Sequence, residues 1–363
     1  MEVLPVLNEL IIKSFTGEYK LEVVENVFSQ LSAYSMEKTQ FLVDAKVYQL
    51  YKNQFEKSLN QHKMIFVDAL ESNKNVDRTS FYVEKLVENQ VKIDHTLVAI
   101  GGGIIQDITC FLASTLFRGM KWEFVPTTLL AQADSCIGSK SSINVGEYKN
   151  LMGTFYPPQK ILLDISFLNT LEQKDVLSGI GEILKVHMIK GISYFESASS
   201  KYDQMLLDQK ELLQFIWNSL LYKKELIEVD EYDRGPRNVM NYGHSFGHAI
   251  ESATDFLIPH GIAVSLGMDM ANYQSFMMGR ISEEQFLSWH QCLKKNYHTY
   301  QGVNIPIDIF LSAISKDKKN IGNDLSLILV QAAGKIEKIR VPKDEVFKKN
   351  CQHFFNSFFK QGL

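Results

Sequence analysis

The 363-residue chain has no CxxC pair. Its four cysteines, Cys110, Cys136, Cys292 and Cys351, are scattered, which argues against a disulfide frame and for free thiols in a reducing compartment. No stretch approaches the roughly 18 consecutive apolar residues of a membrane span. The opening Met1-Glu2-Val3-Leu4-Pro5 lacks the basic start and long apolar run of a signal peptide. The expectation is a soluble, cytoplasmic protein. There is no excess of positive charge either: at a net charge of −4, no overall field draws the chain to nucleic acid or to a membrane. Any basic cluster must serve a local purpose, such as an anionic small substrate. Internal repeats and low-complexity segments are absent. What remains is a 45% apolar chain, rich enough for real cores and long enough for two domains.

The first half alternates short apolar runs with helical patterns. Phe41-Leu42-Val43-Asp44, Met64-Ile65-Phe66-Val67-Asp68, Leu97-Val98-Ala99-Ile100, Trp122-Glu123-Phe124-Val125 and Ile161-Leu162-Leu163-Asp164 read as buried parallel strands. Helical patterns such as Val83-Glu84-Lys85-Leu86-Val87-Glu88 lie between them, as crossover helices do. After about Ile165 long helical patterns take over, at 172–190, 204–228, 240–254, 261–278 and 282–296. The expected fold is an α/β domain over 1–165 and an all-α domain over 166–363. One late run, Leu325-Ser326-Leu327-Ile328-Leu329-Val330, predicts a small hairpin or edge strand.

Two motifs carry chemistry. Asn241-Tyr242-Gly243-His244-Ser245-Phe246-Gly247-His248, followed by Pro259-His260, sets three histidines within seventeen residues. His244 and His248 are spaced to share one helix face, and His260 follows a break at Pro259. Together they can approach one cation, or they can be ordinary core and surface histidines. Gly101-Gly102-Gly103 follows a strand and opens a helix near Ile105, where backbone N–H groups suit a pyrophosphate or form a plain turn. Pro126-Thr127-Thr128 adds hydroxyls for a nucleotide or a helix cap. The polar segment from Asp134 and Ser135 through Lys140 to Tyr148-Lys149-Asn150 reads as a loop, suited to an anion or merely solvated. Glu182 and Lys185 have the spacing of a surface ion pair, or Glu182 joins His244 and His260 as a carboxylate ligand.

In order, these pieces resemble the 3-dehydroquinate synthase family and its relatives, the sugar-phosphate cyclases. The resemblance runs from about Leu97 to Met270, through GGGIIQD, FRGMKWEFVPTTLLAQADSCIGSKSSIN, KNLMGTFYPP, LNTLEQKDVLSGIGEILK, DEYDRGPRNVMNYGHSFGHAIE and IPHG, with an echo at 317–335. It implies a nucleotide-binding α/β domain, a helical domain and an active site in the cleft, with bound NAD⁺ and one divalent metal, Zn²⁺ or Co²⁺. It implies Glu182, His244 and His260 as metal ligands and His248 as a neighbouring acid/base group. Asp134, Lys140, Asn150, Lys185, Lys223, Arg237 and Asn241 match substrate positions, with Lys319 (or its neighbour Lys318) also at the substrate. Arg118 matches an arginine lent to a neighbouring subunit, which implies a homodimer. The cofactor positions are Asp44, Glu71, Lys74, Gly102, Gly103, Asp107, Thr127, Thr128, Asp134, Ser135, Lys140, Lys149, Phe167 and Thr170.

The implied reaction oxidises a hydroxyl of a heptulosonate 7-phosphate transiently. It then eliminates phosphate, returns the hydride and closes a ring by an intramolecular aldol step. The chain departs from the family pattern at several points. Gln106 replaces a glycine of GGGxxGD, where its side chain either crowds the turn or points away. Ser139 and Ser141 replace a glycine and a threonine, Ile262 replaces a glutamate after His260-Gly261, and Pro236 and His187 are unusual. Asn241 and Arg237 favour a dehydroquinate-synthase-like site. The departures leave open a cyclase acting on sedoheptulose 7-phosphate, glucose 6-phosphate or an amino analogue, in primary or secondary metabolism. A metal-dependent polyol dehydrogenase, which shares the two-domain plan, would have no phosphate for the lysine-rich segment to bind.

Overall fold

The computed structural model describes residues 9–316, 320, 324–332 and 335–360. Lys318 and Lys319 lie outside the described residues. The chain divides into two compact units, Met1–Leu171 with Lys223–Tyr232, and Glu172–Tyr222 with Asp233–Leu363. Among the described residues, no helix is long and apolar enough to cross a membrane.

The first unit holds β1 (Glu9–Ser14), β2 (Gly17–Val23), β3 (Thr39–Asp44), β4 (Met64–Val67), β5 (Thr96–Gly101), β6 (Lys121–Pro126), β7 (Ile143–Val145), β8 (Tyr148–Met152) and β9 (Lys160–Leu163). Seven of these form one sheet in the order β1-β2-β9-β6-β5-β3-β4. All its pairings are parallel except that of the β1–β2 hairpin. The five apolar runs all lie in this sheet, because strands covered on both faces must be apolar throughout. The β1–β2 hairpin was not anticipated. Its strands alternate, with Leu10, Ile12, Tyr19 and Leu21 buried and their neighbours more exposed, as half-covered strands do.

Helices α1 (Val27–Leu31), α2 (Ala45–Leu50), α3 (Lys52–Ser58), α4 (Val76–Glu88) and α5 (Gly103–Thr115) connect the strands. On one side, Val27, Phe41, Val43, Phe55, Val98, Ile100 and Leu162 pack into a core that also takes Phe167. Burying a side chain of this size contributes roughly 1.5–3 kcal/mol. Phe167 therefore holds the 3-10 turn Ile165–Thr170 to the first unit, and the division falls after Leu171 and not at 165. The acidic ends of two strands work as caps: Asp44 accepts from Lys46 N at 2.8 Å, and Asp164 from Ser166 N at 2.9 Å.

The second unit is built from α6 (Gln173–Lys190), α7 (Ile192–Ser200), α8 (Tyr202–Leu207), α9 (Gln209–Val229), α10 (His244–Ala253), α11 (His260–Met277), α12 (Glu283–Tyr297), α13 (Ile307–Ser315) and α14 (Glu345–His353). From Lys223 on, α9 groups with the first unit. The pattern at 204–228 is two helices, broken at Asp208, whose side chain caps the second by accepting from Lys210 N at 2.8 Å. Among the described residues the unit has no strands apart from the expected hairpin, β10 (Asp324–Ala332) with β11 (Lys335–Pro342).

Candidate active site

In the second unit the metal-ligand candidates come together because three helices can touch. A β-carbon on Gly181 would lie 2.0 Å from the Gly261 carbonyl oxygen, and one on Gly261 would lie 1.8 Å from that of Ser178. Only glycine permits this crossing of α6 and α11, and Gly261 N adds a 2.9 Å hydrogen bond to Ser178 Oγ. The residues next to the crossing are Glu182 and His260. Gly243, in the left-handed conformation (φ 76°), starts α10 at His244.

Glu182 Oε1 lies 3.5 Å from His260 Nε2 and 3.8 Å from His244 Nε2. One ring nitrogen from each of His244, His248 and His260 lies within 4.8 Å of the others. Around a tetrahedral ion with bonds of about 2.1 Å, neighbouring ligand atoms stand about 3.4 Å apart, so this donor set fits a divalent metal. The second nitrogens are held: His244 Nδ1 meets the Tyr242 carbonyl oxygen at 3.2 Å, and His260 Nδ1 meets Glu251 Oε2 at 3.2 Å. With Nδ1 turned to an oxygen, each of these rings presents Nε2 to the cluster. His248 is the most exposed of the three, one turn along α10 from His244.

The pair Glu182–Lys185 is no surface pair. Both side chains are about 2% exposed and in direct contact. Burial disfavours the Glu182 carboxylate, but Lys185 and His260 outweigh it and hold its pKa well below the usual range. Burial also disfavours the His260 cation, yet Glu182 and Glu251 raise its pKa to about 10, so a metal binding at Nε2 would displace a proton. His244, buried beside Lys185 and two other imidazoles, is held well below the usual histidine range. Arg237 is buried in the 3-10 turn Pro236–Asn241, and Asn241 Nδ2 donates to the Asn238 carbonyl oxygen at 3.1 Å. Ile262, where the resemblance expects a glutamate, is fully buried.

In the first unit, Lys74 is the hub of the cofactor candidates. Its buried Nζ lies 3.1 Å from Asp107 Oδ2, 3.4 Å from Glu71 Oε1 and 3.0 Å from Asn150 Oδ1. Burial opposes the Lys74 cation, but Asp107 and Glu71 outweigh it and raise its pKa. Asp107 also accepts from Ser142 N and Oγ, both at 2.9 Å. Gly102 caps α5; a β-carbon there would lie 2.9 Å from Thr128 Cγ2, so the turn is packed against the Thr127-Thr128 segment. Gly103, the first residue of α5, offers its backbone N–H at the helix start. The Thr127 hydroxyl is buried and has no partner among the described residues, whereas Thr128 Oγ1 caps Ala131 N at 3.2 Å.

The segment read as a loop is ordered: Ala131–Ser135 is a π-helical turn, and β7 and β8 form a hairpin. Polar residues with no apolar alternation concealed it. Asp134 Oδ1 lies 2.7 Å from Lys223 Nζ, which also donates to the Asp134 carbonyl oxygen at 2.6 Å. Lys140 is exposed, with its ammonium 6.0 Å from the centre of the Phe155 ring, and Lys149 is exposed on β8. Three candidates have partners within the fold. Phe167 lies in the core, the Asp44 carboxylate caps α2, and Thr170 Oγ1 meets Tyr51 OH at 3.1 Å. Arg118 sits in an exposed turn. Glu251, Ser142 and Asn144, whose Nδ2 donates to Glu71 Oε1 at 2.8 Å, were not singled out from the sequence. Glu251 had a signal, since it stands three residues after His248 on the same helix face.

A family model described as 3-dehydroquinate synthase N-terminal matches residues 64–178, and one described as 3-dehydroquinate synthase C-terminal matches 179–320. A 3-dehydroquinate synthase of Dictyoglomus turgidum is 36% identical over 295 residues, 80% of this chain and 81% of that one. The fold is shared with a 2-deoxy-scyllo-inosose synthase complexed with carbaglucose-6-phosphate, NAD⁺ and Co²⁺, at TM-score 0.80 and 21% identity over 96% of this chain and 99% of that one. It is shared also with a 2-epi-5-epi-valiolone synthase from Streptomyces hygroscopicus subsp. jinggangensis 5008 with NAD⁺ and Zn²⁺ bound, at TM-score 0.81 and 22% identity over 93% and 97%.

Proposed function

Because the chain belongs to the 3-dehydroquinate synthase family, we propose that it is a phosphate-eliminating cyclase whose substrate is a heptulosonate 7-phosphate. The observation that carries this reading is the donor set of Glu182, His244 and His260, with His248 beside it. A divalent cation, when bound, supplies Lewis acidity toward a substrate hydroxyl, and NAD⁺, when bound, supplies a hydride acceptor restored in the same turnover.

The chain's own residues divide the remaining work. Glu251 and the Tyr242 carbonyl orient two imidazoles, so their free nitrogens converge. Lys185 keeps Glu182 ionised in a buried place. His248, exposed beside the ligands, is placed to carry a proton to or from the substrate. Lys140, Lys223 and Arg237 are the cations we assign to the anionic groups of the substrate, with Asn150, Asn241 and Asp134 orienting its hydroxyls. Glu71, Lys74 and Asp107 order the wall of the nucleotide site, where the start of α5 offers N–H groups to a pyrophosphate.

A homodimer belongs to this reading. Phe117 and Arg118 both have left-handed backbone (φ 51° and 65°) in an exposed turn, a costly conformation suited to presenting Arg118 outward. A cytoplasmic place in aromatic biosynthesis goes with the same substrate. The departures at Ser139 and Ile262 motivate the second reading, a cyclase for another sugar phosphate.

The test is phosphate release from 3-deoxy-arabino-heptulosonate 7-phosphate by purified protein with NAD⁺ and Zn²⁺ or Co²⁺. Release with dehydroquinate as product, and no net NADH, supports the first reading. No release, with turnover of sedoheptulose 7-phosphate or glucose 6-phosphate, supports the second. Net NADH from a polyol would overturn both.

A further inference from the structure

Gln106 stands in the first turns of α5, where the family resemblance expects glycine. Its side chain neither crowds the glycine turn nor points to water. It is buried, and it makes two hydrogen bonds to one residue. Gln106 Nε2 donates to the Ser135 carbonyl oxygen at 2.6 Å, and Ser135 Oγ donates to Gln106 Oε1 at 2.7 Å. Both directions follow from the groups themselves. A carbonyl oxygen only accepts, so the amide nitrogen must face it. The amide oxygen then faces the hydroxyl, and it too only accepts. The Ser135 proton is committed to Gln106, and a ligand arriving at Ser135 Oγ meets lone pairs.

That hydroxyl is half-buried beside the glycine turn: a β-carbon on Gly103 would lie 3.9 Å from it. It also sits on a π-helical turn, closed by Cys136 N donating to the Ala131 carbonyl oxygen at 3.0 Å. Two successive carbonyls of the turn are taken by side chains, that of Asp134 by Lys223 at 2.6 Å and that of Ser135 by Gln106 at 2.6 Å. Gln106 thus fixes both the position and the hydrogen-bonding sense of Ser135.

We propose that Gln106 is a positioning residue that makes Ser135 an acceptor at the nucleotide site, so that its hydroxyl receives an N–H or O–H of the cofactor and does not donate to a phosphate oxygen. The inference rests on the reading of this region as the NAD⁺ site. Two groups of the dinucleotide supply such donors, the nicotinamide carboxamide and the ribose hydroxyls.

The experiment measures dissociation constants on the full chain for NAD⁺, for 3-acetylpyridine adenine dinucleotide, which lacks the carboxamide N–H, and for a deoxyribose analogue. Wild type should bind NAD⁺ about five- to tenfold more tightly than one of the two analogues, the affected one identifying the donor. Ser135→Ala should abolish that preference, and Gln106→Met should reduce it by freeing the hydroxyl to turn. A role confined to packing would leave the ratio unchanged while affinity for all three nucleotides fell together. Circular dichroism checks that each variant folds; if Gln106→Met does not, the Ser135→Ala ratio decides. Equal ratios in wild type and Ser135→Ala, from protein that binds NAD⁺, would overturn the inference alone. Wild type that binds no NAD⁺ would overturn the site reading, and the inference with it.

Discussion

Each unit is organised around a buried charge, but the two charges are balanced differently. In the first unit Lys74 is surrounded by acceptors already present in the chain, Asp107, Glu71 and Asn150. In the second, Glu182 meets the cation Lys185 on one side and, on the other, the Nε2 atoms of two imidazoles. The first arrangement is complete without a ligand and, on the function proposed above, gives shape to the nucleotide site. The second is preorganised for a cation that the chain does not itself supply. A buried charge stripped of one partner is left uncompensated, and that costs more than the intact pair contributes.

The largest break in this contrast should come from Glu182→Gln. It leaves Lys185 buried without its carboxylate and removes a metal donor. We expect loss of metal from the purified protein, loss of turnover and a destabilisation of about 3–5 kcal/mol. Elemental analysis and urea unfolding measure these; full metal content with an unchanged unfolding midpoint would refute the assignment. Lys74→Met should cost about 3 kcal/mol, nearer the low end because Glu71 keeps partial access to water. Its signature is different: NAD⁺ retention should fall while metal content stays at the wild-type level. If the metal were lost too, the two regions would not be separable in this way. Gly261→Ala forces a methyl group against the Ser178 carbonyl, so α6 and α11 must part. Overpacking of this kind costs about 1–3 kcal/mol. Metal affinity should weaken, because Glu182 and His260 stand next to the crossing, and a calorimetric zinc titration would show no change only if the crossing does not set the site.

The same contrast explains what the sequence showed. The five buried strands were legible because continuous apolar runs are what a doubly covered sheet needs, and the three histidines because their spacing and Pro259 fix a face and a break. The burial of Glu182 and Lys185 was not, since an i, i+3 pair looks alike on any helix face. What buries it is the contact of Gly181 with Gly261, eighty residues away in the chain. Lys74 and Asn150, 76 residues apart, pose the same problem. The hairpin of β7 and β8 escaped notice for a local reason, since all five residues of β8 are exposed and no periodic burial marks it. Asp208 was a break hidden in a continuous helical pattern, visible only as a capping side chain.

His187 offers the smallest and sharpest test of the comparison, because it shares α6 with Glu182 and Lys185 yet meets no charged partner among the described residues. Its ring is buried against Phe215 and Tyr222, and Nδ1 meets the Ile183 carbonyl oxygen at 2.8 Å. Burial lowers its pKa to about 4, and the bond to Ile183 opposes that only in part. Between about pH 4 and the ordinary value near 6.5, the unfolded chain holds a proton that the folded one does not, so acid favours unfolding. The stability is complete above about pH 6.5 and is lost as the pH falls toward 4, by about 2 kcal/mol at pH 5. His187→Phe keeps the ring packing and removes the titration. Urea unfolding at pH 5 and pH 8 should therefore show a smaller acid loss in the variant, by about that amount. An identical loss in both proteins would mean that the folded chain protonates His187 as readily as the unfolded one, and that burial on this helix needs no paired charge to be tolerated.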